Sequence, residues 1–296
     1  SVLTHLSPKG PESTPQKERH QTRQTTLPML RQTCSVLLRR RTSALRAFAT
    51  KPDLTLVEDR DGIRTITMNN PAKYNGWTDP MLRSWMGRFA DAATDDSVKA
   101  LILTGSGKYY CAGVDLSGTI KPMWPKQLHD QIYTFNKRVF DTFLEFPKPL
   151  CVAVNGPAIG ASVTTATLAD CVVASTNATF STPFARLGVP PEGCSSVHFA
   201  RLMGPENAMR MLGMDGWAPT AKEAAAVGLI NECVSSEDLL DAAHAQLRSR
   251  LANADYVKNH RGYADTAELI KVNDRESKDL ADAFLAVPFL RAQADF

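Results

Sequence analysis

Apolar and polar residues alternate over 54–60 and again over 63–69, about an Asp61-Gly62 pair, a pattern that predicts a β-hairpin. Residues 69–77, NNPAKYNGW, read as a loop, after which Thr78 is placed to cap a helix over 79–92. Met81, Leu82, Trp85, Met86 and Phe89 fall on one face of that helix. A short buried strand is expected at 100–103, followed by a turn at Gly105 and Gly107. The apolar segment 109–116, YYCAGVDL, ends in a loop at Gly113, and 121–125 is irregular. Leu128, Ile132, Phe135, Val139 and Phe143 then recur at helical intervals up to the break at Pro147.

The stretch PKPLCVAVNGPAIGASVTTATLAD (147–170) carries the strongest local signal. LCVAV is a strand-like run too short to favour a helix. Gly156 and Gly160 make a tight connection, and ASVTTATLA can start a helix close against other backbone. A strand that passes through glycines into a helix leaves orphan N–H groups pointing outward at one spot, which suits a negative oxygen or an ordinary packing joint. Further strands are expected at 171–174, 179–180 and 229–234. A helix is expected at 206–212, and a capping box at Thr220-x-x-Glu223 opens another. Helices fill most of the remainder.

Strands followed by helices at roughly forty-residue intervals predict an α/β fold of repeated ββα units rather than a doubly wound nucleotide-binding sheet. GxGxxG, a P-loop and Gly-x-Ser-x-Gly are all missing from the sequence, so neither a dinucleotide, ATP nor a serine hydrolase is indicated. The 296 residues are 43% hydrophobic and 22% charged, enough for a large core, yet no apolar run is long enough for a membrane span. Six cysteines occur singly, with no metal-ligand spacing and no disulfide framework. The net charge is +3, but residues 1–50 hold nine basic and two acidic residues, leaving 51–296 slightly acidic. The body is therefore not a nucleic-acid binder on charge grounds. From Met29, five arginines, no acid, several Ser/Thr and one apolar helical face have the character of a mitochondrial transit peptide. Residues 1–50 are accordingly set apart as a targeting or disordered segment, 51–250 as a catalytic core and 251–296 as a helical region.

YYCAGVDL, VNGPAIGASVTTATLADCVVAS and TFSTPFARLGVPPEGCSS, followed by RLMGPENAMRMLGMDGWAPTAKEAAAVGLINECV, resemble the crotonase (enoyl-CoA hydratase/isomerase) superfamily, in its order and spacing. PPEGCSS is most similar to type-two Δ3,Δ2-enoyl-CoA isomerases. The resemblance implies a crotonase-like spiral of ββα repeats with a C-terminal helical trimerisation region, assembling as a homotrimer or hexamer through residues around 281–290. It implies an acyl-CoA thioester as substrate, coenzyme A entering only as part of it, with no other cofactor and no metal. The activity implied is a shift of the double bond of a 3-enoyl-CoA to trans-2-enoyl-CoA in fatty acid β-oxidation. Glu192 would carry the proton, its position after Pro190-Pro191 in an apolar, small-residue loop raising its pKa. The backbone N–H groups of Ala112 and Ala161 would form the oxyanion hole. Ala72, Lys73, Tyr74, Cys111, Gly113, Val114, Asp115, Gly160 and Phe184 would line the substrate and coenzyme A site. Trp77, Met81, Met123, Trp124, Phe135 and Phe184 could wall an acyl tunnel.

Hydratases of the superfamily use two glutamates, and their places here fall on Thr164 and Phe184, so efficient hydration is disfavoured. A non-catalytic acyl-CoA-binding or scaffold protein, and a dienoyl-CoA isomerase, are the alternatives. Neither an N-terminal acyl-CoA-binding domain nor an SKL-like ending is seen in the sequence, so the mitochondrial matrix is expected over the peroxisome.

Overall fold

The computed structural model describes residues 53–115, 123–262 and 265–294. The targeting segment and Cys34 lie outside the described residues, as do Leu116, Lys121 and the last two residues.

β1 (Thr55–Arg60) and β2 (Ile63–Met68) pair antiparallel across Asp61-Gly62, as the alternation predicts. From β2 onward the sheet is parallel. β3 (Ala100–Gly105), β4 (Leu150–Val154), β6 (Cys171–Ser175) and β8 (Glu232–Val234) complete the order β1-β2-β3-β4-β6-β8. A parallel sheet is covered on both faces, and β3, β4 and β6 are accordingly buried at every residue. One face, carrying Leu101, Leu103, Val152, Val154 and Val172, meets α1 (Asp79–Thr94) and α2 (Pro125–Leu144). The opposite face, with Ile102, Ala153 and Val173, meets Leu239, Ala243 and Leu247 on a helix spanning Leu239–Ala252. Trp85 of α1 lies edge-on to Phe143 of α2, and Phe89 packs between them and Phe146, an aromatic seam that fixes the two helices on the sheet.

The second strand of each repeat leaves this sheet. β5 (Ala158–Ile159) and β7 (Phe180–Ser181) pair parallel with each other in a separate small sheet. Parallel bridges Trp77–Val114 and Cys111–Ala158 add 77 and the 111–114 segment to the same wall, and an antiparallel bridge Thr179–Thr220 closes its far side. Successive strand–strand–helix units therefore stack as turns of one spiral. α3 (Ala161–Thr167) follows β5 directly, α4 (Ser195–Leu212) follows the loop after β7, and α5 (Ala221–Ala226) carries the capping box between Thr220 and Glu223.

α4 begins eleven residues before the expected helix and runs through Gly204-Pro205 with a kink, Gly204 standing at φ +81°. After α6 (Leu239–Ala252) come α7 (Thr266–Phe284) and α8 (Val287–Ala294). α7 lies along α2 through Asn273, Leu280 and Phe284. Among the described residues, no helix is long and apolar enough to cross a membrane.

Candidate active site

A cavity of about 140 Å³ opens where the small sheet, α2, the 188–194 loop and the C-terminal helices converge. Ala112, Gly113 and Val114 form one wall, Gly160 and Ala161 the next, Phe184 and Glu192 a third. Leu280 and Phe284 of α7, with Phe289 of α8, close the apolar end. Phe284 and Phe289 stack with ring centroids 4.2 Å apart. Part of the region expected to serve assembly thus walls the cavity, while Val287 and Leu290 face outward.

The 111–114 segment sits between residue 77 and β5. Trp77 N–H donates to Gly113 O at 2.8 Å and Asp115 N–H to Trp77 O at 3.1 Å, so Val114 between them turns its own N–H away from that neighbour. On the other side, Ile159 N–H reaches Cys111 O at 3.0 Å, and there the ladder ends. Gly113 approaches Ile159 so closely that a β-carbon would stand 2.9 Å from the Ile159 carbonyl. Beyond that contact the chains separate. Val114 N–H and Ala161 N–H are left on the cavity wall with no acceptor among the described residues.

The Ala112 assignment is corrected here. Its N–H donates to Tyr74 O at 3.0 Å and is spent on holding the 70–75 loop. The sequence motif placed the donor on this loop but not the residue, because which amide of CAGVD is free depends on the ladder register. Cys111 is fully buried, and its thiol accepts from Gly113 N–H at 3.3 Å. Burial pushes that thiol up to about 12, which leaves it inert at neutral pH.

Ser162 donates to Ile159 O at 2.9 Å and accepts from Ile159 N–H at 3.0 Å, tying β5 to α3. Thr164 is buried, and its hydroxyl donates to Ala161 O at 3.1 Å inside α3, away from the cavity lining. Ala72, Lys73 and Tyr74 form an exposed turn, Tyr74 at 53% exposure, its ring tilted against Tyr109. They and Asp115 lie outside the cavity lining. Of the expected tunnel residues, Phe135 and Phe184 line the cavity, Trp77 and Met81 belong to the core beneath Trp85, and Trp124 is 76% exposed; Met123 is not in the lining.

Glu192 is 7% exposed and is the only carboxylate in the cavity lining among the described residues. Its carboxylate accepts from the Asn136 side-chain amide. Burial pushes its pKa up to about 7, the Asn136 amide opposes the rise, and the charge of Glu276 adds to it. Asn136 accepts from Ser277 Oγ at 2.8 Å, and Asn273 Nδ2 donates to Lys137 O at 3.0 Å and Asp141 Oδ1 at 2.9 Å, so α7 orients the amide through a short polar chain. Asn136 occupies the apolar stripe of α2, four residues after Ile132 and three before Val139; a polar residue at that register was the available clue.

Gly193 holds φ +66° with Phe140 packed where a β-carbon would go. We expect Gly193→Ala to push the loop off Phe140 and move Glu192. Turnover should fall at least tenfold while circular dichroism stays native, and unchanged turnover would show that the loop tolerates the shift.

The sequence matches the family described as Enoyl-CoA hydratase/isomerase over residues 58–268, and the chain belongs to that crotonase family. It is 43% identical over 180 residues to mouse "Enoyl-CoA delta isomerase 3, peroxisomal", covering 60% of this chain and 56% of the relative. It is 42% identical over 179 residues to human "Enoyl-CoA delta isomerase 2", covering 60% and 45%. Human "Chromodomain Y-like protein" is 34% identical over 180 residues, covering 60% and 30%. The match thus spans about half the length of the two isomerases and less of the third protein. The fold superposes on an enoyl-CoA hydratase/isomerase from Pseudoalteromonas atlantica with TM-score 0.69 and 25% identity, over 82% of this chain and 96% of that one.

Proposed function

We propose that this chain is a Δ3,Δ2-enoyl-CoA isomerase of the type-two kind, which moves the double bond of a 3-enoyl-CoA to trans-2-enoyl-CoA by a 1,3-proton shift. The observation that carries the reading is one buried carboxylate facing the same cavity as two unengaged main-chain N–H groups. Glu192 takes a proton from C2, next to the thioester carbonyl. The electron pair moves onto the thioester oxygen, which Val114 and Ala161 N–H receive as it becomes negative. The dienolate collapses as Glu192 returns the proton to C4, so the carboxylate is regenerated and no redox partner or metal is needed. Asn136 holds one carboxylate oxygen, leaving the other for the substrate.

Hydration would require a second acid to activate water. The two places such acids would occupy carry Thr164, bonded within its helix, and Phe184, an apolar wall. Coenzyme A would run over the exposed Ala72–Tyr74 turn, with Lys73 toward its phosphates. Assembly as a trimer or hexamer, and a role in β-oxidation, extend the same reading. The basic segment from Met29 favours the mitochondrial matrix; the mouse relative is named peroxisomal, which makes the peroxisome the rival address.

The test uses purified protein with 3-enoyl-CoA, and separately with 2-enoyl-CoA in water. Conversion of the first with little hydration of the second is expected, and the reverse ratio would sink the proposal. Because the base must be ionised, kcat/KM should fall about tenfold per pH unit below a midpoint near pH 7. A profile flat from pH 5 to 8 would exclude Glu192 as the base. The likeness to a chromodomain protein favours a second reading, an acyl-CoA-binding module without turnover; binding of acyl-CoA with inactivity on every such substrate would support it.

A further inference from the structure

We propose that Glu276 is a positioning residue for Glu192: from the C-terminal helix it clamps the loop that carries the base and sets a negative charge behind it. This rests on the reading of Glu192 as the proton carrier. Glu276 is 3% exposed, lies outside the cavity lining and has no part in the proton shift. Its Oε2 accepts from Cys194 N–H at 2.6 Å, and its Oε1 accepts from Ser196 N–H at 3.1 Å and from the Ser196 hydroxyl. Those amides belong to the first turn of α4, so a carboxylate from α7, eighty residues on, caps that helix. The segment it grips needs gripping. Gly193 and Cys194 both hold left-handed backbone, at φ +66° and +63°, and the second has a side chain to strain it.

The next residue on α7 supports the other side of the base. Ser277 holds Asn136, and Asn136 holds the Glu192 carboxylate. One turn of α7 therefore fixes Glu192 from its main chain and from its side chain.

The groups around the pair come from three elements. α2 contributes Asn136 and the Lys137–Asp141 ion pair. α4 and the residue before it contribute Ser196 and the Cys194 thiol, and α7 contributes Asn273, Arg275 and Ser277, with Arg275 donating to Ser196 Oγ at 3.2 Å. Burial raises both carboxyls to about 7. Glu276 accepts three donors and is drawn toward ionisation by Arg275, whereas Glu192 accepts one amide. As pH rises the first charge settles on Glu276, and it then opposes ionisation of Glu192. The base is thereby kept able to hold a proton as well as to take one.

Two variants separate charge from reach. Glu276→Gln keeps the reach and removes the charge, and Glu276→Asp keeps the charge and retracts it. The titration midpoint of the Glu192 carboxyl is read by carbon-13 NMR, alongside kcat and KM for 3-enoyl-CoA. In Glu276→Gln the midpoint should drop by about one pH unit, and kcat should fall about tenfold with KM changed less than twofold. In Glu276→Asp kcat should fall as far while the midpoint stays high. An unmoved midpoint in the Gln variant together with wild-type kcat in both variants overturns the inference. If Glu276→Gln does not fold, unchanged kcat in Glu276→Asp overturns it alone. A midpoint that drops in a protein whose wild type converts no 3-enoyl-CoA upholds the electrostatic coupling and rejects the isomerase reading instead.

Discussion

Glu192→Gln should lower turnover of 3-enoyl-CoA by about 10²–10⁴-fold, because on the proposed mechanism it removes the one carboxylate among the described lining residues that would carry a proton between C2 and C4. The glutamine is nearly isosteric and can still accept from Asn136, so substrate binding should survive; KM should change little, and the loss should appear in kcat. Stopped-flow or steady-state assays of the purified variant read this directly. Retention of more than a tenth of wild-type activity would show that another group moves the proton. The same variant carries a signature in stability. The folded carboxyl titrates near 7 and the unfolded one near 4.5, so between those values the folded state binds more protons. Wild-type stability therefore falls as pH rises through that window, by on the order of 3 kcal/mol, and the glutamine variant escapes the loss. At pH 8 it should melt several degrees above wild type, and at pH 4 the two should coincide. A buried acid kept for chemistry has this cost.

Ala161→Pro is the second large effect. It deletes one of the two unengaged N–H groups and puts the pyrrolidine ring where the negative oxygen would rest. Proline is well tolerated at the first position of a helix, which Ala161 occupies in α3, so the fold should persist. Losing one such donor costs about 10²–10³-fold in kcat. The variant should fold, shown by native circular dichroism, and be nearly inactive on the thioester. Replacing the Val114 peptide N–H by an ester oxygen should cost a comparable factor, whereas the same exchange at Ala112 should act on stability through the lost bond to Tyr74. Equal losses of turnover at 112 and 114 would contradict the assignment of the donor to Val114.

The parts of the fold that were readable in the sequence are those fixed by local chemistry. The hairpin at Asp61-Gly62, Thr78 as helix cap, and the reciprocal Thr220/Glu223 cap each follow from a few neighbouring residues. The buried strands β3, β4 and β6 announce themselves as unbroken apolar runs. What was hidden depends on contacts far apart in the chain. The choice of Val114 over Ala112 is set by the register against Trp77, more than thirty residues earlier. Glu276 and Ser277 look like ordinary polar positions on an amphipathic helix until α7 is laid against α2 and α4. The helix over 195–212 was legible only from residue 206, because local propensity disfavours a helix running through Gly204-Pro205, while the flanking apolar residues Phe199, Met203, Ala208 and Met211 hold both halves to the core.

The unengaged amides at 114 and 161 belong to the polypeptide itself, whereas the acid at 192 is a replaceable side chain. Point substitution can erase or relocate the acid in a single step, but the pair of amides persists as long as the strands still splay at Gly113. A scaffold of this kind inherits a way to stabilise an enolate and is free to change what is done with it, so divergence of chemistry on such a frame should proceed by altering acids and apolar walls around a fixed polar notch.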